Sequence, residues 1–559
     1  MNKNLVFWIA MCCISTGFAG KAFGQDRMLQ TPVQIEVFTD RTLYIAGESV
    51  RFSMIEPVGN DSTDRILYAE IITPDGVNIS KGKYVINRGK ASGCLLLPRD
   101  MLSGYYYFRA YTRYMRNAGP SAYRYVRLKV VNPLKSDVLV SDNSANSVTL
   151  NIADDSMQTA RVEIAVENKQ FNSREKVIVT VKANPDFGSR QGLCVSVVPA
   201  GTCETTLSRV SGSVGEIVSG ERYYHEFRGV TLTGTLVDKN RNLPIPDKVV
   251  TLSVMGDRDF LSSKTDQNGR FYFTLPDYIG VRELFLSSVD YSGSNVNLLI
   301  DNDFCSIPLA LPNPVFELSE AENAVVLNLA MNNHISEEYV TGSKAAEDTV
   351  HQKVSFYGEP TEVLLMDKYV QLPTLEEYFS ELPLEVKIRQ NKEGKYFKFL
   401  SNDALMIVNN PIVLVDWVVI TDIKQVLALS PQKIAKIEIV NKPYIKGNFT
   451  YGGIISIITN QGDFGGIDLP GSGLFIRYDF PVSVCETEIA EPSSLNRPDS
   501  RNTLLWLPFS SLSPGEESKL SFSAPDVPGK YSIILRGLLP NGKTIIRTAL
   551  FKVVNGNAE

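Results

Sequence analysis

Short runs in which apolar and polar residues alternate recur along most of this chain. Residues 33–38, VQIEVF, place an apolar side chain at every second position, which is typical of a half-buried β-strand. Residues 104–112, GYYYFRAYT, form a further run whose aromatic side chains favour a strand. Gly, Pro, Asn and Asp separate such runs, and Asp75-Gly76 is a typical hairpin turn. The pattern predicts a mainly β protein that contains several β-sandwiches in tandem.

One segment departs from this all-β pattern. Residues 410–462 read as a buried strand, a short helix, a second strand, a Gly452-Gly453 turn and a third strand. Upstream, Thr374 and Glu377 have the spacing of a capping box, which predicts the start of another helix. These elements predict one α+β domain, which we place at residues 354–465.

The first residues have the features of a secretory signal peptide. Lys3 precedes an apolar run, residues 5–18, that is too short to span a bilayer. Small residues just before Gln25 form a signal-peptidase site, and residues 17–19 offer a rival one. We therefore expect residues 1–24 to be removed and the chain to be exported. No other long apolar run exists, so the sequence predicts no transmembrane segment, and a location in the periplasm or in association with the outer membrane.

Composition argues against some classes of function. The formal net charge of −6 is not that of a nucleic-acid-binding surface. After removal of the signal peptide five cysteines remain, an odd and sparse number that does not make a disulfide framework. Cys194 and Cys203 could pair across a loop, although buried free thiols are the favoured interpretation. The five are Cys94, Cys194, Cys203, Cys305 and Cys485.

Motifs for catalysis or ligand binding find little support. The histidines, His225, His334 and His351, are far apart and have no Cys or carboxylate at metal-ligand spacing. Residues 537–544, GLLPNGKT, satisfy the phosphate-loop pattern, but a β-branched run follows instead of the helix that phosphate binding requires. We expect a hairpin turn there. The sequence predicts no enzyme activity, no cofactor, no metal, no nucleotide and no nucleic acid.

The α+β segment resembles the plug domain of outer-membrane TonB-dependent receptors, in which a similar segment closes the barrel lumen. The resemblance lies in the order of elements over residues 410–462. Trp417 follows Asp416 where that family usually has Gly. Only residues 463–559 follow, too few for the many strands of a transport barrel. The resemblance therefore implies a plug-like module that would engage a barrel belonging to another protein.

Two further resemblances concern the sandwiches. The N-terminal part is similar to the MG2-type macroglobulin domain of Bacteroidota envelope proteins, through Tyr44, Gly47, Glu48, Val50, Phe52, Gly104, Tyr106 and Tyr111. Residues 232–238, 244–246 and 265–273 resemble the carboxypeptidase regulatory-like fold, a rigid sandwich that often precedes a plug in TonB-linked receptors. The Cys-Gly-Glu-Gln thioester of full macroglobulins is absent from the sequence, so covalent trapping is not implied.

The fold class predicted is mainly β, with tandem immunoglobulin- or macroglobulin-like sandwiches and one α+β plug-like domain. The Gly-Glu strand of the first sandwich has echoes at residues 174–181 and 515–522, which favour three sandwiches of related design. The alternative is that any β protein offers such echoes. The predicted parts are a signal peptide (1–24), a macroglobulin-like sandwich (25–132), a second sandwich (133–226), a regulatory-like sandwich (227–312), a linker (313–353), the plug-like domain (354–465) and a C-terminal sandwich (466–559).

The function predicted is that of a non-enzymatic scaffold or binding protein of the envelope, acting at the outer membrane and engaging a separate barrel protein. Alternatives are an accessory component of TonB-linked uptake, and a protease or protease inhibitor of macroglobulin type. Aromatic and Arg residues are enriched at interface hot spots. On this basis the candidate partner contacts are Lys442, Tyr444, Lys446 and Tyr451 in the plug-like domain, and Tyr105, Arg109 and Arg113 in the first sandwich.

Overall fold

The computed structural model of this protein describes most of the chain between residues 34 and 554. The gaps are residues 58–63, 141–150, 153–161, 184–191, 205–207, 210–212, 215–221, 289–295, 339–354, 384, 393, 483–488, 490–497, 511–514 and 539–543. The predicted signal peptide lies outside the described residues. The described part is mainly β and contains sandwiches in tandem, as the sequence predicts.

The first sandwich contains eight strands. They are β1 (Glu36–Thr39), β2 (Leu43–Ile45), β3 (Ser49–Ile55), β4 (Ile66–Ile72), β5 (Asn78–Val85), β6 (Lys90–Leu96), β7 (Gly104–Thr112) and β8 (Arg124–Val131). They form two sheets, in the orders β1-β3-β6 and β2-β8-β7-β4-β5. The Asp75-Gly76 turn joins β4 to antiparallel β5, and Gly76 has the positive φ, 89°, that favours glycine.

Strands β4 and β7 are buried along their whole length, on both faces. One face packs into the core of the first sandwich. The other face is covered by a later sandwich, because the buried side chains of the two units form one continuous cluster. The simple alternation of a half-buried strand is therefore absent here.

Seven strands follow in the next part of the chain. They are β9 (Asn151–Ile152), β10 (Val162–Val166), β11 (Gln170–Asn172), β12 (Lys176–Ala183), β13 (Leu193–Pro199), β14 (Ser208–Arg209) and β15 (Ser213–Val214). The short strands β9 and β14 pair with each other.

The third sandwich corresponds to the regulatory-like segment. Its strands are β16 (Thr231–Asp238), β17 (Val249–Val254), β18 (Phe260–Lys264), β19 (Arg270–Thr274), β20 (Val281–Ser288), β21 (Val296–Ile300) and β22 (Leu309–Ala310). One sheet has the order β19-β16-β21, and β22 pairs with β15. The turn at 266–269 joins β18 to β19, which lie in different sheets.

A helix, α1 (Glu320–Glu338), occupies much of the segment expected to be a linker. Ser319 and Glu322 cap its start reciprocally, with Glu322 N donating to Ser319 Oγ at 3.3 Å and Ser319 N to Glu322 Oε2 at 2.8 Å. Buried Leu329 packs against Leu43 and Ile45 of β2. The linker prediction is wrong for this stretch, because a narrow apolar row is enough to dock the helix on the first sandwich.

The α+β module has the order of elements that the sequence predicts. They are β23 (Glu362–Leu365), α2 (Leu375–Glu381), β24 (Val386–Asn391), β25 (Gly394–Phe399), α3 (Ala404–Val408), β26 (Ile412–Val415), β27 (Val418–Val419), α4 (Ile423–Leu427), β28 (Ile434–Val440), β29 (Tyr444–Lys446), β30 (Phe449–Tyr451) and β31 (Ile454–Thr459). The central sheet is ordered β23-β28-β31-β26-β27. Ile437 and Ile455 are buried at its centre, and Thr374 caps α2 by accepting a hydrogen bond from Glu377 N at 3.3 Å.

The last part of the chain does not form a sandwich of its own. After α5 (Leu469–Ser472), strand β32 (Leu474–Asp479) joins the second sheet of the third sandwich, in the order β18-β17-β20-β32. The remaining strands are β33 (Leu505–Ser510), β34 (Glu517–Ser523), β35 (Gly529–Leu538) and β36 (Thr544–Val554).

These four strands complete the sandwich that begins with β10. The two sheets are ordered β10-β12-β34 and β11-β36-β35-β13-β33. Each sheet therefore combines strands from residues 162–199 with strands from residues 505–554. The prediction of two separate sandwiches, at 133–226 and 466–559, is therefore wrong. The echoes at 174–181 and 515–522 lie on β12 and β34, which are hydrogen-bonded neighbours. We call the combined unit the composite sandwich.

A double-mutant cycle tests the composite sandwich. Val197 and Ile533 are opposite each other on β13 and β35, and both are buried in one core. Ile533→Ala should lower the free energy of unfolding in urea by about 2–5 kcal/mol. The effects of Val197→Ala and Ile533→Ala should couple by about 0.5–3 kcal/mol, since contacting residues are not additive. Val197→Ala paired with Ile437→Ala in the α+β module is the additive control. Additive effects for Val197 and Ile533 would contradict the composite sandwich.

Candidate functional site

A buried ion pair of the first sandwich lies at the contact with the third. Glu70 on β4 and Arg109 on β7 are opposite each other in register, and each is 1% exposed. Arg109 Nε and Nη2 donate to Glu70 Oε2 at 2.9 and 2.6 Å, and Nη2 also donates to the carbonyl oxygen of Cys305 at 3.1 Å. Breaking such a pair leaves an uncompensated buried charge, at a cost of about 3–5 kcal/mol. Arg109 therefore fixes the third sandwich in position on the first one.

The other contacts predicted on and after β7 are also directed into the chain. Arg113 is buried and donates to Thr231 O at 3.0 Å and to Thr233 Oγ1 at 3.2 Å. Tyr105 is buried and meets the ring of Phe316 edge-on, with 5.6 Å between centroids. This corrects the sequence interpretation for Tyr105, Arg109 and Arg113: the third sandwich and the segment before α1 cover them, so they do not face a separate protein.

A carboxyl group lies at the centre of the same junction. Glu226 is buried, and its carboxylate accepts hydrogen bonds from the Tyr68 hydroxyl at 3.0 and 3.1 Å and from Thr231 N at 2.6 Å. Burial raises the pKa of Glu226 to about 7, although the charge of Arg113 acts in the opposite direction. The group therefore changes its charge near neutral pH inside a junction between sandwiches.

The chain around Glu226 is held by Asp64. Glu226 N donates to Asp64 Oδ1 at 2.9 Å, and His225 Nδ1 lies 3.1 Å from the same oxygen. The His225 ring stacks on Tyr114, with 3.7 Å between centroids. His225 is thus a contact between units of the chain.

A lysine extends this junction to strand β32. The Lys83 ammonium is buried, lies 2.5 Å from Asp303 Oδ2 and donates to Asp479 O at 2.8 Å. Tyr478 also donates to Asp303 Oδ2, at 2.6 Å, and the Lys83 ammonium lies 4.0 Å from the centroid of its ring. Residues from the first sandwich, from β32 and from the loop after β21 therefore share one buried cation.

A second junction joins the first sandwich to the composite sandwich. Buried Arg41 donates to Glu48 through Nη1 at 3.3 Å and Nη2 at 2.9 Å. Asn502 donates to Glu48 Oε1 at 2.8 Å, and Thr503 donates to Asp40 Oδ2 at 2.7 Å. Glu48 is the acid of the Gly-Glu motif in the first sandwich. The motif therefore supplies the carboxylate that accepts a hydrogen bond from the composite sandwich.

Helix α1 and an arginine complete this second junction. Asn502 also donates to Leu329 O at 3.0 Å and accepts from Asn332 Nδ2 at 3.0 Å, so α1 contacts both sandwiches. Buried Arg536 of β35 donates to the carbonyl of Thr39 in β1. The surrounding apolar cluster combines side chains of both sandwiches: Phe38, Ile55, Cys194, Trp506 and Leu538.

The third junction is made by the hairpin β29–β30. The Lys446 ammonium pairs with the Asp259 carboxylate and lies 4.9 Å from the ring centroids of both Phe260 and Phe356. The hydroxyls of Tyr451 and Ser262 are 2.6 Å apart, and Tyr444 meets the ring of Phe356 edge-on at 5.3 Å. One face of the hairpin therefore packs on the third sandwich, and Tyr444, Lys446 and Tyr451 make contacts within the chain rather than the partner contacts that the sequence suggested.

The turn between β26 and β27 adds to this junction. Asp416 and Trp417 have positive φ values of 46° and 71°, as the two central residues of a type I′ turn require. The Asp416 carboxylate holds the turn by accepting from Thr459 N at 2.8 Å and Thr459 Oγ1 at 2.6 Å. The Trp417 ring stacks on Tyr357 at 5.7 Å and lies 5.3 Å from the guanidinium of Arg258 in the third sandwich. This contact gives a physical reason for Trp at position 417.

The opposite face of the hairpin is directed to solvent. Ile445 pairs with Thr450 in register, so these two side chains lie on the face opposite Tyr444, Lys446 and Tyr451. Ile445 is 66% exposed, and Lys442 just before the hairpin is also exposed. Of the contacts predicted in this segment, the structure leaves Lys442 available and adds Ile445. Alternation along the strand predicts that Ile445 lies on the face opposite Tyr444 and Lys446. The sequence alone does not show which of the two faces is directed to solvent.

The described residues form neither a metal site nor the loop and helix of a phosphate-binding motif. No group of three His, Cys, Asp or Glu side chains there could hold a metal ion. The tip of the phosphate-loop pattern lies outside them, but Leu538 pairs with Thr544 in an antiparallel hairpin of β35 and β36, and no helix follows. Cys194, Cys203 and Cys305 are free thiols, so Cys194 and Cys203 do not pair, whereas Cys94 is disulfide-bonded.

Comparisons with known proteins leave the family open. The sequence matches no protein-family model and no curated protein. A mutant of Salmonella alpha-2-macroglobulin matches with 10% identity and a TM-score of 0.23, over 94% of this chain and 39% of that one. Trypsin-activated alpha-2-macroglobulin from Escherichia coli matches with 9% identity and a TM-score of 0.16, over 94% of this chain and 24% of that one.

An adhesin, InvE of Yersinia pseudotuberculosis, matches with 11% identity and a TM-score of 0.13, over 48% of this chain and 58% of that one. The chain thus spans less than two thirds of each of these proteins. Superpositions this poor carry no argument about function. Among the described residues, no helix is long and apolar enough to cross a membrane.

The titration of Glu226 makes the first junction dependent on pH. Its pKa in the folded protein is about 7, above the ordinary value of 4.5, so folding favours the protonated form. The stability this provides is complete below about pH 4.5 and is lost as the pH rises through 7. Relative to the wild type, Glu226→Gln should therefore gain about 2–3 kcal/mol in free energy of unfolding between pH 5 and pH 8.

Urea unfolding of both proteins at several pH values measures this difference. Glu204→Gln is the matched control, because Glu204 is part-exposed and pairs with Arg127 at 3.0 Å between the first sandwich and the composite sandwich, outside the first junction. A constant difference between wild type and Glu226→Gln from pH 5 to pH 8 would contradict the raised pKa.

Proposed function

We propose that this protein is a non-enzymatic binding scaffold of a Gram-negative cell envelope, which holds the hairpin β29–β30 out to a partner protein. The observation that carries the proposal is the two-sided hairpin. One face is anchored in a buried aromatic and ionic junction, whereas the other presents an apolar side chain, Ile445, to solvent.

Anchoring matters because ordering a flexible loop on binding costs conformational free energy. Lys446 and Tyr451 hold one strand each against the third sandwich, and the third sandwich is held by Arg109 and Lys83 on the first. The hairpin is thus fixed relative to the whole frame. Its outer face is preorganised for recognition.

The chemistry of that outer face fits a protein partner. Ile445 offers an apolar anchor, and Lys442 and Thr450 offer polar groups beside it. An apolar centre with a polar rim is the usual anatomy of a protein interface. The rest of the described chain supplies support, because buried polar side chains form hydrogen bonds across the junctions between its units.

The location of the partner follows from the sequence. The expected signal peptide directs the chain out of the cytoplasm, and the resemblance of residues 410–462 to a receptor plug favours an outer-membrane barrel protein as partner. The chain itself would remain in the periplasm or in association with the outer membrane.

Purification from crosslinked envelope membranes tests the proposal. The wild-type chain should recover an outer-membrane protein, identified by mass spectrometry. Ile445→Asp and Lys442→Glu should each reduce that recovery by about tenfold, since the loss of an interface anchor costs more than about 1 kcal/mol. Both side chains are exposed, so the melting temperature should stay nearly unchanged.

Leu550→Asp is the matched control, because Leu550 is 62% exposed on the composite sandwich, outside the hairpin. If the Ile445→Asp protein recovers the same outer-membrane partners as the wild type, the hairpin is not the contact. If the partner recovered is a TonB-linked transporter, the accessory role in uptake is favoured over a general scaffold.

A further inference from the structure

A second surface of the α+β module combines cations with exposed aliphatic side chains. On the two-stranded sheet β24–β25, Lys387 is opposite Lys398 and Arg389 is opposite Tyr396. These four positions alternate with the buried Phe397 and Phe399, so they share the outward face. Two lysines directly opposite each other repel, which makes this arrangement unfavourable for the isolated module.

The two lysines are held in place by helix ends. Lys387 Nζ donates to Ser380 O at 2.9 Å in the last turn of α2, and Lys398 Nζ donates to Ile407 O in the last turn of α3. Carbonyl groups at a helix C-terminus favour a cation. Each ammonium has three N–H donors, and in each case one carbonyl contact is described.

These cations have no acidic partner in the described part of the chain. The ion pairs formed there include Lys395 of β25 with Glu376 of α2, but none by Lys387, Arg389 or Lys398. The chain as a whole has a formal net charge of −6, so this surface is opposite in sign to the average. Its natural complement is an anionic surface.

The aliphatic part is the outer side of helix α3. Met406 is buried in the core of the module, whereas Leu405, Ile407 and Val408 are 45%, 53% and 80% exposed. The contact of Lys398 with Ile407 O places the cations directly beside these side chains. We call the set Lys387, Arg389, Lys398, Leu405, Ile407 and Val408 the basic–aliphatic face.

We propose that the basic–aliphatic face docks on a membrane surface that contains anionic lipid headgroups. Phosphate groups would receive the free N–H donors of Lys387, Arg389 and Lys398, and the aliphatic side chains of α3 would enter the boundary between headgroups and acyl chains. Clustered cations beside exposed aliphatic residues are the features that bind proteins to such interfaces. The three cations favour this occupant, because an anionic lipid surface offers phosphate groups to all of them at once. The inference does not depend on the proposed role of the hairpin.

Flotation with lipid vesicles tests the inference on the full mature chain. The wild type should float with vesicles of phosphatidylcholine and phosphatidylglycerol but not with phosphatidylcholine alone, and added salt should weaken the binding. Arg389→Glu and Val408→Asp should each reduce binding to the anionic vesicles by about tenfold. Both side chains are exposed, and circular dichroism should show that both variants remain folded.

Lys552→Glu and Leu550→Asp, on the composite sandwich, are the matched controls and should bind like the wild type. The inference is overturned if the wild type fails to float with anionic vesicles, or if all variants bind equally. A dimer would also overturn the inference if sedimentation shows that Val408→Asp dissociates it and if the dimer does not bind vesicles. In that case a second copy of the chain covers the basic–aliphatic face. Loss of partner recovery by Ile445→Asp with vesicle binding intact would separate the two proposals.

Discussion

Buried charges at the junctions between units determine how this protein is assembled. Lys83 finds its counter-charge, and Arg109 its carbonyl acceptor, only when the third sandwich is docked on the first. Glu48, which pairs with Arg41 inside the first sandwich, accepts from Asn502 only when the composite sandwich is docked. A charge of this kind can be buried only if it is paired and hydrogen-bonded. Separating the units would therefore leave cations or carboxylates without part of their coordination. This constraint makes one frame out of several sandwiches and the α+β module.

The frame holds the surfaces that remain exposed in fixed positions. One face of the hairpin β29–β30 packs on the third sandwich, so the orientation of its other face relative to the frame is fixed. The basic–aliphatic face lies on the same module, on the sheet β24–β25 and on α3, and α3 approaches strand β30. A protein contact and a lipid contact on one module would orient the chain at a membrane from two sides.

Local features of this fold could be predicted from the sequence. The run of aromatic side chains identified β7, and the capping residues Thr374 and Glu377 identified the start of α2. The strand–helix–strand pattern of the α+β module also follows from local periodicity. The pairing of β12 with β34 could not be predicted in the same way, because hydrogen bonding between segments more than 300 residues apart leaves no local signal.

The candidate site was likewise only partly predictable from the sequence. Sequence reasoning selected Arg109 and Tyr451 because aromatic and Arg residues are frequent at interfaces, and both do lie at interfaces, but within the chain. Glu226 was not selected, since a single carboxylate near an aromatic run has no pattern until Tyr68 and Arg113 are placed around it. Exposure of Ile445 likewise depends on which face of a hairpin is covered.

Hydrogen exchange at amides that bond only across a junction tests the central claim most directly. Leu43 N donates to Thr202 O at 3.0 Å across the second junction, and Arg65 N donates to Glu226 O at 2.8 Å across the first. If the units form one frame, these two amides should exchange as slowly as those in the centre of β7 and β35, because they open only when the whole structure does. Rapid exchange of Leu43 and Arg65, with β7 and β35 still protected, would show that the units move independently and would contradict the account.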